Sequence, residues 1–325
     1  MNFADVHSSL RAVPAADDNR HALGEVPHSR EGNALMFQVP EEGIAGFVYF
    51  WSTKDKVAGA AAYIFGQGVG EPIKERFDAT PVDDDMDYHN WKVNGLTAKL
   101  GAPHQELDFT FSGQRVQITA RYEASHPAYA FSSHRDGCPA YYAQDRTEQH
   151  GIVTGNLVID GRRVALNHFL QRDHSWGPRI WGLNQHYKWF HATTHSASVH
   201  FFEMQSFGKV LLRGYVAKDG RMEEITAINY DFEFDEAMHH KSFDVIVSDA
   251  AGRKTEIECK TYAKTEFDAD PMIYLKESAT TLVMDGEKGT GWCEFCWNRL
   301  YFDFARKYSD QYARGSRSVP CTMRG

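Results

Sequence analysis

The sequence predicts an all-β protein built as two antiparallel barrel or sandwich bodies with a short C-terminal helix, and three observations carry that prediction. Runs of strand length, alternating or rich in aromatic residues, recur along nearly the whole chain. The dipeptides Asp160-Gly161, Asp219-Gly220 and Asp285-Gly286 each fall between two such runs, where Asp-Gly supplies the positive φ of a tight hairpin turn. The aromatic content, 13%, suits strands and an apolar cavity better than a helical protein.

The strand runs read from the N-terminus are Leu35 to Val39, Gly46 to Ser52, Gln105 to Phe111, Arg115 to Tyr122, Ile152 to Ile159 and Arg162 to Leu170. The series continues with Tyr187 to Thr194, Val199 to Phe207, Lys209 to Ala217, Glu223 to Phe234 and Ser242 to Val247. Thr255 to Tyr262, Met272 to Met284 and Thr290 to Leu300 complete it, and Phe302 to Tyr312 fits a terminal helix. So many strands exceed one small sandwich, and barrel closure removes exposed sheet edges. Residues 1–30 read as a loose arm, 31–175 as the first β domain and 176–325 as the second, with the Pro-bearing stretch Gln171 to Gln185 as the break. Regular βα alternation is missing, which argues against nucleotide-binding α/β folds, and Gly66 and Gly68 precede no helix.

Charge and composition exclude several function classes. With 35 basic and 44 acidic residues the net charge is -9 and no Lys/Arg run makes a basic patch, so no nucleic-acid partner is expected. The longest apolar stretch, Val57 to Phe65, is far short of the roughly 20 residues a membrane-spanning helix needs. Met1 to Arg20 carries Asp5, Asp17 and Asp18 and lacks a signal peptide's basic start and apolar centre, so a cytoplasmic protein is expected. Cys138, Cys259, Cys293, Cys296 and Cys321 are too scattered for a disulfide framework. Cys293 and Cys296 match C-x-x-C, but three residues along a strand turns the thiols to opposite faces.

Six of the 16 histidines, His168, His174, His186, His191, His195 and His200, fall in one 33-residue window with Trp176, Trp181 and Trp189. Such clustering marks a candidate cleft. The spacing matches no recognised ligand pattern, so no metal and no cofactor are expected. Ser175 beside His174 suggests a hydrolase, but the G-x-S-x-G elbow is missing. In Val199-His200-Phe201-Phe202-Glu203-Met204, period two sets Phe201 and Glu203 on one face. A glutamate among apolar residues is either a desolvated general acid with a raised pKa or the partner of an arginine such as Arg172, Arg179 or Arg213. Trp176 and Phe201 read as core residues or as a wall whose π faces stabilise a cation. Asp173 and Arg179 also allow a purely architectural reading, with Gly177 permitting a tight bend before Pro178.

The string Arg-Asp-His-Ser-Trp-Gly-x-Arg within Gln171 to Arg179 resembles the signature of the carotenoid 1,2-hydratase (hydroxyneurosporene synthase) superfamily. Gly289-Thr-Gly-Trp-Cys-Glu294 resembles that superfamily's closing G-x-G-x-x-E strand. The resemblance implies two lipocalin-like β-barrel domains. It also implies a catalytic pocket lined by a His-x-Trp pair, here His174 and Trp176, and a Tyr-x-Asp pair, here replaced by Phe201 and Glu203.

What this implies is cofactor-independent acid/base chemistry: hydration or dehydration, isomerisation or cyclisation of an apolar, isoprenoid- or steroid-like alkene through a carbocation-like intermediate. Glu203, or Asp173 in its place, is the expected proton donor, and His174 orients or deprotonates water. Trp176, Phe201, Trp181, Trp189 and His191 are expected to bind substrate, while Arg172, Gly177, Arg179 and Glu294 hold the domain junction. The partners expected are an apolar small molecule and, optionally, a second copy of the chain as a homodimer. The competing expectation is a lipocalin-like carrier that binds an apolar ligand without chemistry.

Overall fold

The computed structural model describes residues 1–267 and 269–312, apart from the side chains of 309–312. The chain divides into two compact units, Met1–Arg179 and Ile180–Gly325. Cys321 lies outside the described residues.

The first unit contains β1 (His7–Ser8), β2 (Ser29–Val39), β3 (Ile44–Thr53), β4 (Val57–Phe65), β5 (Ile73–Pro81), β6 (Trp91–Val93) and β7 (Leu96–Leu100). It continues with β8 (Glu106–Ser112), β9 (Val116–Ala124), β10 (Tyr129–Ala130), β11 (Asp145–Ile159) and β12 (Arg162–Pro178). Its antiparallel sheet runs β5-β4-β3-β2-β12-β11-β9-β8-β7-β6, with β10 beside β11, and curls around a core that includes Leu35, Phe37, Val48, Phe109 and Leu170. The strand β12 runs without a break to Pro178, which carries the whole Arg-Asp-His-Ser-Trp-Gly string into the first unit. The Gly/Ala-rich stretch Val57 to Phe65 is a strand of this sheet; small side chains let it pass close to its neighbours, as where a Cβ on Gly59 would meet the Trp51 ring at 2.6 Å.

The N-terminal stretch differs from a loose arm. Asp18 is buried and pairs with Arg172 at 2.6 Å, and Arg20 donates to the carbonyls of Asp83 and Met86 at 2.8 and 2.7 Å. Charge pairing of this kind is invisible in the local composition of residues 1–30.

The second unit contains β13 (His186–Thr193), β14 (Ser198–Ser206), β15 (Lys209–Lys218), β16 (Arg221–Phe234), β17 (His240–Asp249), β18 (Lys254–Phe267), β19 (Ile273–Met284), β20 (Glu287–Asn298) and the helix α1 (Arg299–Tyr312). The order β16-β15-β14-β13-β20-β19-β18-β17, closed by pairing of β17 with β16, makes a barrel filled by Phe190, Val199, Phe201, Val245, Ile257 and Phe295. Phe302 anchors α1 against Tyr274 and Trp297, ring centroids 5.3 and 5.9 Å away. All three Asp-Gly pairs turn hairpins: φ is positive at Asp160 and Gly161, at Asp219 and Gly220, and at Asp285 and Gly286. Among the described residues no helix is long and apolar enough to cross a membrane.

Candidate functional site

Period two divides the motif on β12 into two faces. Arg172, His174 and Trp176 point with Leu170 toward the interior of the first barrel, because Leu170 belongs to the core and alternate residues share a face. The facing strand β2 sets Asn33 opposite His174 and Glu31 opposite Trp176. His174 Nε2 lies 2.7 Å from Glu31 Oε1, and His21 Nδ1 reaches the same oxygen at 2.8 Å. The His21 ring stacks on Trp176 at 3.8 Å, 8° from parallel, and Tyr88 meets His174 edge-on at 5.6 Å. Burial drives the His174 pKa down despite the Glu31 carboxylate. Burial would raise Glu31, but the bonds to His174 and then His21 hold it below its ordinary value. The result is a buried carboxylate with two imidazoles converging on one oxygen.

Asp173 and Ser175 occupy the opposite face. Arg146 Nη2 is 2.9 Å from Asp173 Oδ2, and its Nε donates to Glu148 at 2.6 Å. Burial alone would lower the Arg146 pKa; Asp173 and then Glu148 raise it well above its ordinary value. Asp173, offered by the sequence as the second-choice proton donor, is an ion-paired carboxylate on the face opposite His174. Arg179 donates to the Tyr142 carbonyl at 2.6 Å and to Ser175 Oγ at 3.0 Å. These partners, like Asp18 on Arg172, belong to the first unit. Gly177 adopts φ +107, and a Cβ there would stand 2.4 Å from Gln144 N, so only glycine fits the bend.

In the second barrel, Phe201 and Glu203 do share the interior face, as period two requires. Glu203 is neither a free acid nor paired with arginine: Lys188, directly opposite on β13, places Nζ 2.6 Å from its Oε1. Tyr230 of β16 donates its hydroxyl at 3.2 Å to either carboxylate oxygen, and Gln205 Nε2 donates at 3.2 Å. Glu203 therefore accepts a tyrosine hydroxyl from β16, a strand distant in sequence from Phe201. Lys188 and Tyr230 open onto a cavity of about 450 Å³ whose other walls include His186, Phe232, Phe295 and Trp297. His186 Nδ1 donates to the Cys296 carbonyl at 2.7 Å, which leaves Nε2 as the ring's acceptor. Burial and the Lys188 charge push the His186 pKa well down, so it stands as a neutral base.

Trp189, His191 and Glu294 lie on the outward face of the same strands, so the barrel does not bring them to Glu203. Trp189 and His191 pack ring to ring at 5.3 Å. Glu294 accepts from Tyr187 and faces Glu277 across the β19/β20 register. Burial and then the Glu294 charge push the Glu277 pKa well above the carboxylate range. Trp181 sits in a short helical turn, 6.5 Å from Tyr187.

Sequence reasoning missed Lys188, Tyr230 and Glu31, and named His186 only as one of the clustered histidines. For Lys188 a signal exists: it alternates with Tyr187 and Trp189 in a strand, where an inward lysine demands a partner. Tyr230-x-Phe232-x-Phe234 likewise reads as an aromatic inner face once the inward parity is known.

Each unit thus encloses polar, titratable side chains within an antiparallel β-barrel-like shell, and that pairing defines the class of protein. The chain belongs to the family described as Domain of unknown function (DUF7064), whose model matches residues 14–299. No curated protein matches the sequence. Solved structures share the fold at low identity. A putative AttH from Nitrosomonas europaea is 13% identical with TM-score 0.62, over 88% of this chain and 97% of that one. Kievitone hydratase from Nectria haematococca is 9% identical with TM-score 0.61, over 91% and 97%. CghA, also solved with Sch210972, is 12% identical with TM-score 0.60, over 83% and 88%.

Proposed function

We propose that this protein is a cofactor-independent acid/base enzyme of the hydratase/dehydratase, isomerase or cyclase type, acting on an apolar alkene-bearing small molecule in the second barrel. The observation that carries the reading is the Lys188–Glu203–Tyr230 network beneath an aromatic cavity that also holds a neutral His186. A volume near 450 Å³ falls within the range of about 300–1,000 Å³ of small-molecule sites. The fold shared with kievitone hydratase supports the same class.

The pairing of Glu203 favours an alkene conjugated to a carbonyl over an isolated one. An isolated alkene needs a strong free acid to form a carbocation, whereas Lys188 keeps two N–H donors beyond its bond to Glu203, and the single Tyr230 O–H turns from its 3.2 Å bond to Glu203 toward a developing oxyanion in the low-dielectric site. Glu203 fixes their orientation. His186 Nε2, kept neutral, accepts a hydrogen bond from the water that adds to the alkene and so orients it, and the surrounding rings exclude bulk water.

The test is incubation with apolar enones and with unconjugated isoprenoid alkenes in deuterated water, read by mass spectrometry. Deuterium or water incorporation into enones, reduced at least 100-fold by Tyr230→Phe with folding unchanged, supports the reading. Tight ligand retention with no exchange in any class overturns it in favour of a carrier.

A further inference from the structure

We propose that His21, Glu31 and His174 form a binding site for a divalent transition-metal ion of the zinc class in the first unit. The inference is independent of the chemistry proposed for the second barrel and uses none of its residues.

Two imidazoles and one carboxylate are a donor set that zinc and its first-row neighbours take readily. The three donor atoms lie within 4.8 Å of one another. His21 Nδ1 and His174 Nε2 both aim at Glu31 Oε1, from 2.8 and 2.7 Å. Metal bonds of about 2.0–2.2 Å need only small rotations of these side chains to admit an ion among them.

Hydrogen bonding alone leaves the cluster unbalanced. If both rings donate to Glu31, then His174 Nδ1 and His21 Nε2 are bare lone pairs, and both are buried without a partner. With the donor lone pairs turned to an ion, those two nitrogens carry the protons instead, and of the two only His21 Nε2 has a carboxylate nearby among the described residues. Asp17 Oδ1, 3.8 Å from His21 Nε2, then stands where outer carboxylates commonly hold a metal-bound histidine.

The surroundings fit an ion as well. Arg172 is neutralised by Asp18 at 2.6 Å, so the Glu31 charge remains for the ion. Trp176 stacked on His21 and Tyr88 against His174 fix the rings. Asn33, which shares the inward face opposite His174, has both amide atoms buried without a partner, and so has the Tyr88 hydroxyl. These are the polar groups that an ion's water or further ligand would satisfy. Entry is available, because His21 also lines an open cleft of about 500 Å³ with Ser52, Thr53 and Lys54. The ligands lie far apart in sequence, on the N-terminal segment, β2 and β12, so no motif spacing announces them.

The experiment is titration of chelator-treated full-length protein with Co²⁺ alone and Zn²⁺ alone. One Co²⁺ per chain with a visible d–d absorption, displaced by Zn²⁺, is expected. Zn²⁺ should also raise the wild-type melting temperature. His174→Ala and Glu31→Gln should abolish the absorption, and the partly exposed His21→Asn, the variant least able to disturb the core, should weaken binding at least tenfold. Absence of stoichiometric binding by folded wild type, or equal binding by His21→Asn, overturns the proposal.

Discussion

Lys188 Nζ stands 2.6 Å from Glu203 Oε1 inside the second barrel, and the antiparallel register of β13 with β14 sets the two residues directly opposite each other. Both are buried. Removing one member of such a pair strands the other charge, so Glu203→Gln or Lys188→Met alone should destabilise the protein by about 3–5 kcal/mol. The Lys188→Met/Glu203→Leu double variant should lose much less than the sum. Urea unfolding of the four proteins gives the coupling, and strictly additive losses would contradict an ion pair.

Glu277 faces Glu294 across β19 and β20, with Trp292 Nε1 donating to Glu277 at 2.6 Å. A carboxyl with a raised folded-state pKa contributes stability below its ordinary value of 4.5 and loses it as pH rises. Glu277→Gln should therefore match or exceed wild type at pH 5 and gain on it progressively to pH 8. A stability gap that does not widen with pH counts against this assignment.

His240 is buried beside His239 and bonds Ser278 Oγ through Nδ1 at 2.8 Å. Burial, then the His239 charge, pushes its pKa from 6.5 down to about 3. Because the fold holds it neutral, its contribution is complete above pH 6.5 and is lost as pH falls toward 3. His240→Asn preserves the polar contact without the titration, so its stability should fall less steeply on acidification, by up to about 1.4 kcal/mol per pH unit. Equilibrium unfolding at several pH values across this window provides the check, with parallel curves as the contrary outcome.

Arg146 serves two buried carboxylates, Asp173 and Glu148, so Arg146→Met should cost about 3–5 kcal/mol. Ser175→Ala, on the same face, removes a single bond from Arg179 and should cost about 1 kcal/mol or less. Comparable denaturation midpoints for the two variants would show that Asp173 is not held by this network.

The candidate site was partly legible. Period two on Val199 to Met204 set Phe201 and Glu203 on one face, and the barrel interior is where they lie. The same rule, applied along Arg172 to Trp176, separates Asp173 from His174. The partners of these residues were not legible. Lys188, Tyr230 and Glu31 arrive on strands distant in sequence, and a pairing energy leaves no periodic mark.

By itself the sequence determined the β architecture, since strand alternation, turns at Asp160-Gly161, Asp219-Gly220 and Asp285-Gly286, and aromatic weight are local properties of the chain. Whether a buried acid is free or paired was decided only by the tertiary structure. Desolvation and Coulomb attraction depend on distance in space, so Glu203, Asp173 and Glu31 acquired their chemistry from Lys188, Arg146 and two histidines that only folding brings within 3 Å.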